Sequence, residues 1–87
     1  MSKPKNKTDW FVYVLRCADN SLYTGITLDI KRRISEHSRG QGSRYVRRKL
    51  PVKLVYKESH PSKSKALKRE IEIKQWTRPM KLAFIKK

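Results

Sequence analysis

Between Trp10 and Cys17 the chain reads WFVYVLRC, and after the turn formers Ala18, Asp19, Asn20 and Ser21 a similar run resumes in Leu22-Tyr23-Thr24-Gly25-Ile26. Aromatic and β-branched side chains favour extended backbone, so two such runs joined by turn residues predict a β-hairpin. The period of the pattern then lengthens. Ile30, Ile34 and His37 share one face at helical spacing, Thr27 or Asp29 can cap the start, and Gly40 and Gly42 close the segment. This predicts a helix over about residues 28 to 38.

The next stretch, GQGSRYVRRKL, is basic and is expected to form a loop with a short helical turn. Pro51 opens PVKLVYKE, where Val52, Leu54 and Tyr56 alternate with Lys53, Val55 and Lys57, the period of a third strand. His60 precedes Pro61 and is expected in a loop. Ser62 or Ser64 can cap a helix running to about Trp76, and Pro79 in a first turn starts a short C-terminal helix through MKLAFIKK. Residues 1–8, MSKPKNKT, lack apolar periodicity and read as a disordered basic tail ahead of a single domain over residues 9–87. The order β-β-α-β-α-α predicts an α+β domain, a small three-stranded antiparallel sheet flanked by helices.

Composition narrows the function. Eighty-seven residues can bury one core and no more, so one site is expected. Lys and Arg number 23 against 7 acids, a formal charge of +16. Self-repulsion on that scale opposes folding and points to a polyanionic partner, with nucleic acid ahead of a ribosome-associated role or a membrane surface. No apolar run approaches the length of a membrane span and the N-terminus carries no apolar signal segment, so a cytoplasmic protein is expected. The single cysteine, Cys17, excludes an internal disulfide and reads as a packed thiol rather than a nucleophile.

Two helices carry the candidate chemistry. On the later one, Ala66, Leu67, Ile71, Ile73 and Trp76 fall within a broad apolar arc, and Glu70 lies near its middle while Glu72 points to the solvated side. A carboxylate on an inner face must be paired or must coordinate a cation, so Glu70 is either an ion-pair partner of one of the many arginines or a metal ligand. Mg²⁺ commonly takes one or two protein carboxylates and keeps several waters, so one glutamate suffices. On the earlier helix Arg33 and His37 share a face, and either a solvated basic face or a phosphate site fits them. Arg32, Arg44, Arg47, Arg48 and Lys49 are the expected phosphate contacts.

Together, Phe11-Val12-Tyr13, Tyr23-Thr24-Gly25, Arg33, His37 and Glu70 form an ordered pattern that resembles the GIY-YIG nuclease family. More narrowly, RCADNSLYTGIT with RRISEH and KREIEIK is similar to the small standalone YhbQ-like proteins of bacteria. The resemblance implies two tyrosine-bearing tripeptides on adjacent strands and phosphodiester hydrolysis in DNA or other nucleic acid, in a setting such as DNA repair or recombination. It implies one Mg²⁺ or Mn²⁺ on Glu70, a proton relay through Tyr13 with Tyr23 or His37, and Arg33 as the counterion of the phosphoryl oxygens. Cationic surroundings are expected to bring the Tyr13 pKa down toward a useful range. Phe11 and Val12 stand where the family has Gly and Ile, and no asparagine follows the glutamate helix, where several members carry one. The alternative is a non-catalytic basic nucleic-acid-binding module of the same fold. The sequence leaves a protein partner open.

Overall fold

The computed structural model describes residues 9–86; the expected basic tail, residues 1–8, lies outside the described residues. Three strands, β1 (Trp10–Arg16), β2 (Leu22–Thr27) and β3 (Lys53–His60), form one antiparallel sheet in the order β2-β1-β3. The helices are α1 (Ile30–Ser38), the single turn α2 (Arg44–Arg47), α3 (Lys63–Lys74) and α4 (Arg78–Ile85). Each of the three longer helices starts at a side chain that satisfies an otherwise orphan backbone N–H. Asp29 accepts from the N–H of Arg32, Ser62 from that of Lys65, and Thr77 from that of Met80. Gly40 takes the left-handed conformation (φ 77°) just past α1, which only glycine adopts without penalty.

Alternation along β1 divides the core in two. Val12 faces Ala66 and Ile73 of α3, with Trp10, Ile26 and Trp76 at the margin. Tyr13 and Leu15 face the other way, onto Val46 of α2, with Ile30 and Ile34 of α1 and with Leu50, Val52 and Leu54. The sheet is therefore covered on both faces. Cys17, just past β1, is a buried free thiol, as expected. Among the described residues no helix is long and apolar enough to cross a membrane.

Three expectations need correction. Strict alternation in the third strand would place Leu54 and Tyr56 on one face, but the register shifts between Val14 and Leu15. Val14 pairs with Tyr56 and Leu15 with Leu54, which leaves Val55 as an extra residue. That bulge sends Leu54 to the Tyr13 face and Tyr56 to the α3 face, where its ring meets Phe84 at 4.7 Å. The strand also runs on to His60, which pairs with Trp10 and bonds Glu58 rather than lying in a loop. Lastly, the apolar arc on α3 is narrower than its sequence suggests. Ala66 and Ile73 are buried, whereas Leu67 and Ile71 are exposed, Ile71 by 55%. The helix meets a single sheet face, so only the stripe Ala66, Arg69, Glu70 and Ile73 turns inward.

The inward Arg69 is balanced. It bonds Glu58 at 2.9 Å and Glu72 at 2.9 Å, and its guanidinium lies over the rings of Trp76 and Phe84. Glu58 in turn accepts from the Tyr56 hydroxyl (2.6 Å) and pairs with His60 (2.7 Å). These donors hold the Glu58 carboxyl below its ordinary pKa even though burial works to raise it.

Candidate active site

Tyr13 sits on the central strand directly opposite Gly25 of β2. Its ring passes over that position so closely that a Cβ on residue 25 would lie 2.7 Å from the hydroxyl oxygen and 2.8 Å from Cζ. The glycine thus opens the space that the tyrosine fills. Tyr13 is only 1% exposed, and its Oη lies 2.9 Å from Nε2 of the fully buried His37. Tyr23, two residues before Gly25, completes an aromatic trio: ring centres are 6.3 Å apart for Tyr13 and Tyr23, 5.9 Å for Tyr13 and His37, and 5.5 Å for Tyr23 and His37.

Arg33, one turn before His37, faces the same hydroxyl while bonding Glu36 at 2.9 Å. A guanidinium can only donate, so the positive field of Arg33 favours Oη turning its lone pairs toward Arg33 and donating its proton to His37 Nε2. His37 then carries its proton on Nδ1. That atom has no partner among the described residues and lies against Gly42, where any Cβ would overlap the imidazole. Burial, reinforced by Arg33, lowers the His37 pKa and keeps the ring neutral.

The Tyr13 pKa departs from the sequence expectation. Burial raises it to about 12, outweighing Arg33, which lowers it; the neighbouring Tyr23 and Glu70 raise it further. A basic protein does not provide a low-pKa tyrosine when the hydroxyl is shut away from water.

Glu70 approaches differently from the other four residues. Its helix packs on the Val12 face of the sheet, yet its charge is felt at the Tyr13 hydroxyl. Among the described residues Glu70 makes no direct hydrogen bond to the other four. Its ion pair is with Lys74, at 3.2 Å on its own helix, and not with an arginine. The glutamate side chain is 16% exposed and the lysine 52%. No group of three His, Cys, Asp or Glu side chains converges among the described residues. This donor set does not suit a structural zinc, but it fits Mg²⁺ or Mn²⁺, which can complete their shell with water and substrate phosphate oxygens.

The expected phosphate contacts fall into two regions. Arg32 and Arg33 border an open depression with Trp10, Ile26, Thr27, Leu28, Asp29 and Glu36, in which Arg32 also pairs with Glu36. Arg44, Arg47 and Arg48 are exposed on and just after α2, whereas Lys49 is held by Asp19. Sequence reasoning missed Tyr45, Lys74 and Lys81. With Leu22, Tyr23 and Thr24 these line a second concavity, of ≈ 290 Å³, beside the tyrosine pair. Only for Tyr45 was there a signal, an aromatic inside the basic run RYVRRK.

Residues 9–83 match the model of the GIY-YIG catalytic domain. A UPF0213 protein of Staphylococcus aureus is 53% identical over 76 residues, which cover 87% of this chain and 93% of the relative. The solution structure of a UPF0213 protein from Bacillus halodurans superposes with a TM-score of 0.60 at 39% identity, over 91% of this chain and 84% of the other. A protein from E. faecalis superposes with a TM-score of 0.64 at 36% identity, over 95% and 88%. Sheet order, helix order and the matched segment agree, and the chain belongs to the GIY-YIG family.

Proposed function

We propose that this protein hydrolyses phosphodiester bonds in nucleic acid, with DNA as the expected substrate and one Mg²⁺ or Mn²⁺ as cofactor. The observation that carries the reading is the Tyr13 hydroxyl, bonded to His37 Nε2, facing Arg33 and within the field of Glu70. A hydroxyl with a pKa of about 12 is not a phenolate near neutrality, so Tyr13 can act as a base only in concert. Tyr13 is 1% exposed, so the step requires bound substrate to open the rim beside Oη; as a water oxygen attacks phosphorus there, Oη takes the water proton and the Tyr13 proton passes to the neutral His37 Nε2. The bond from phosphorus to the leaving sugar oxygen breaks, and that oxygen collects a proton from solvent. Arg33 neutralises charge growing on the phosphoryl oxygens and so offsets the cost of moving a proton onto His37 beside a cation. Glu70 would hold the divalent ion, which when bound supplies Lewis-acid stabilisation of phosphate oxygens.

The surplus of cations supports a substrate gripped mainly through its backbone. Binding is then expected to weaken steeply with salt and to vary little with sequence. A second reading, a binding module without chemistry, draws on the same geometry, because Tyr13 and His37 both have pKa values moved against ionisation. Incubation of the purified protein with single-stranded, duplex and branched DNA, in Mg²⁺, in Mn²⁺ and in EDTA, separates the two. Metal-dependent product supports the nuclease; tight binding with no product in any arm supports the binder.

A further inference from the structure

Tyr45 is large, aromatic and 44% exposed. It lies in the turn RYVR, between the exposed cations Arg44 and Arg47, with Arg48 following. Its ring stacks on that of Tyr23, at 6.0 Å between centres and 27° between planes, which joins it to the aromatic trio of the candidate site. Lys49 Nζ, held by Asp19, covers part of the ring 4.8 Å from its centre, so the open part of the ring is the one that faces the concavity shared with Tyr23. That concavity has two aromatic rings from the α2 turn and β2, and two ammonium groups, Lys74 and Lys81, from α3 and α4. Lys74 is the same lysine that pairs with Glu70. Thr24, also in the lining, has a buried hydroxyl oxygen with no partner among the described residues.

Flat π-surface bordered by ammonium groups complements a nucleobase flanked by phosphates, and it accepts any base because every base has a π-face. A base within an intact duplex already uses both faces on its neighbours, so it reaches such a surface only when unpaired. We propose that Tyr45 stacks one unpaired nucleobase adjacent to the scissile phosphate, that Lys74 and Lys81 take the flanking phosphates, and that single-stranded or frayed DNA therefore binds better than intact duplex. Cleavage of the bound strand rests on the nuclease reading, but the stacking itself requires neither metal nor cleavage.

The test uses the full chain carrying Glu70→Gln, in EDTA, so that binding is read without hydrolysis. The probes are a single-stranded oligonucleotide containing 2-aminopurine and a blunt duplex of the same length. Stacking should quench 2-aminopurine emission on binding, and Tyr45→Ala should abolish that quenching and weaken single-strand affinity about tenfold, within the range of one base–aromatic stack. Tyr45→Phe should restore both, and duplex affinity should be unchanged in either variant. Single-strand affinity indifferent to Tyr45→Ala, or single-strand and duplex affinity lost in equal proportion, overturns the proposal. Wild-type cleavage of DNA alongside an indifferent Tyr45 removes only the stacking; stacking in a protein that never cuts removes only the nuclease.

Discussion

The hydroxyl of Tyr13 and Nε2 of His37 lie 2.9 Å apart in a space where neither side chain reaches solvent, although 24 positions separate them in the chain. A strand and a helix meet at this bond, so packing and the proposed chemistry both run through it, and the two roles can be separated by substitution.

Tyr13→Phe keeps the ring and removes the oxygen, leaving His37 Nε2 without its partner. The expected stability loss is about 1–3 kcal/mol, the usual cost of stranding a buried polar group. Cleavage should fall about 10²- to 10⁴-fold, the range associated with a lost proton-transfer group. The pH dependence has a definite sign. With its pKa raised from 10.0 to about 12, Tyr13 stays protonated in the folded state where the unfolded chain ionises. Its contribution is complete below pH 10.0 and is lost as pH rises to about 12. Tyr56, also raised to about 12 by burial and by Glu58, behaves likewise. Denaturation midpoints measured across the alkaline range should decline less steeply in Tyr13→Phe than in the wild type.

Gly42→Ala should act on the site from a loop. The added methyl would overlap the His37 ring, and the backbone or the imidazole must shift to admit it. Overpacking of this kind costs about 1–3 kcal/mol. Thermal melting should report that loss, and the imidazole resonances of His37 should move in an NMR spectrum. An unaltered His37 signal with full cleavage would show that the loop does not position the ring.

Glu58→Gln provides the contrast, because Glu58 collects Tyr56, His60 and Arg69 on the α3 face of the sheet and touches none of the site residues. Removing its charge should destabilise the fold by about 1–3 kcal/mol, as for a partly buried polar network left unsatisfied. Since the folded carboxyl titrates below its ordinary 4.5, the wild-type contribution is present above that pH and is lost on acidification through the folded pKa. Below the melting temperature the cleavage rate should match the wild type. A rate falling as far as in Tyr13→Phe would extend the site to this network.

What the sequence made legible was mostly local. The hairpin, the caps at Asp29 and Ser62, and the shared face of Ile30, Ile34 and His37 each depend on residues within a turn or two of one another. Tyr13, Tyr23, Arg33 and His37 could be picked out because their spacing resembles a family, and the fold does bring these four together. The misses are non-local. The bulge at Val55 depends on how β3 registers on β1, and the exposure of Leu67 and Ile71 depends on α3 meeting just one sheet face. The Tyr13 pKa depends on burial, which net charge cannot reveal. Tyr45, Lys74 and Lys81 come from three separate elements, and only folding places them around one concavity.

The most direct test is Glu70→Gln, with cleavage, DNA affinity and thermal stability measured side by side in Mg²⁺ and Mn²⁺. The Glu70–Lys74 pair joins positions four apart on one helix and its lysine is half exposed, so losing it should cost only about 0.3–0.5 kcal/mol. A structural role that small cannot produce a large loss of rate. The nuclease reading predicts that cleavage falls by orders of magnitude while the melting temperature barely moves and DNA affinity holds or rises. Cleavage that survives the substitution, or that falls only in step with binding and stability, would contradict it.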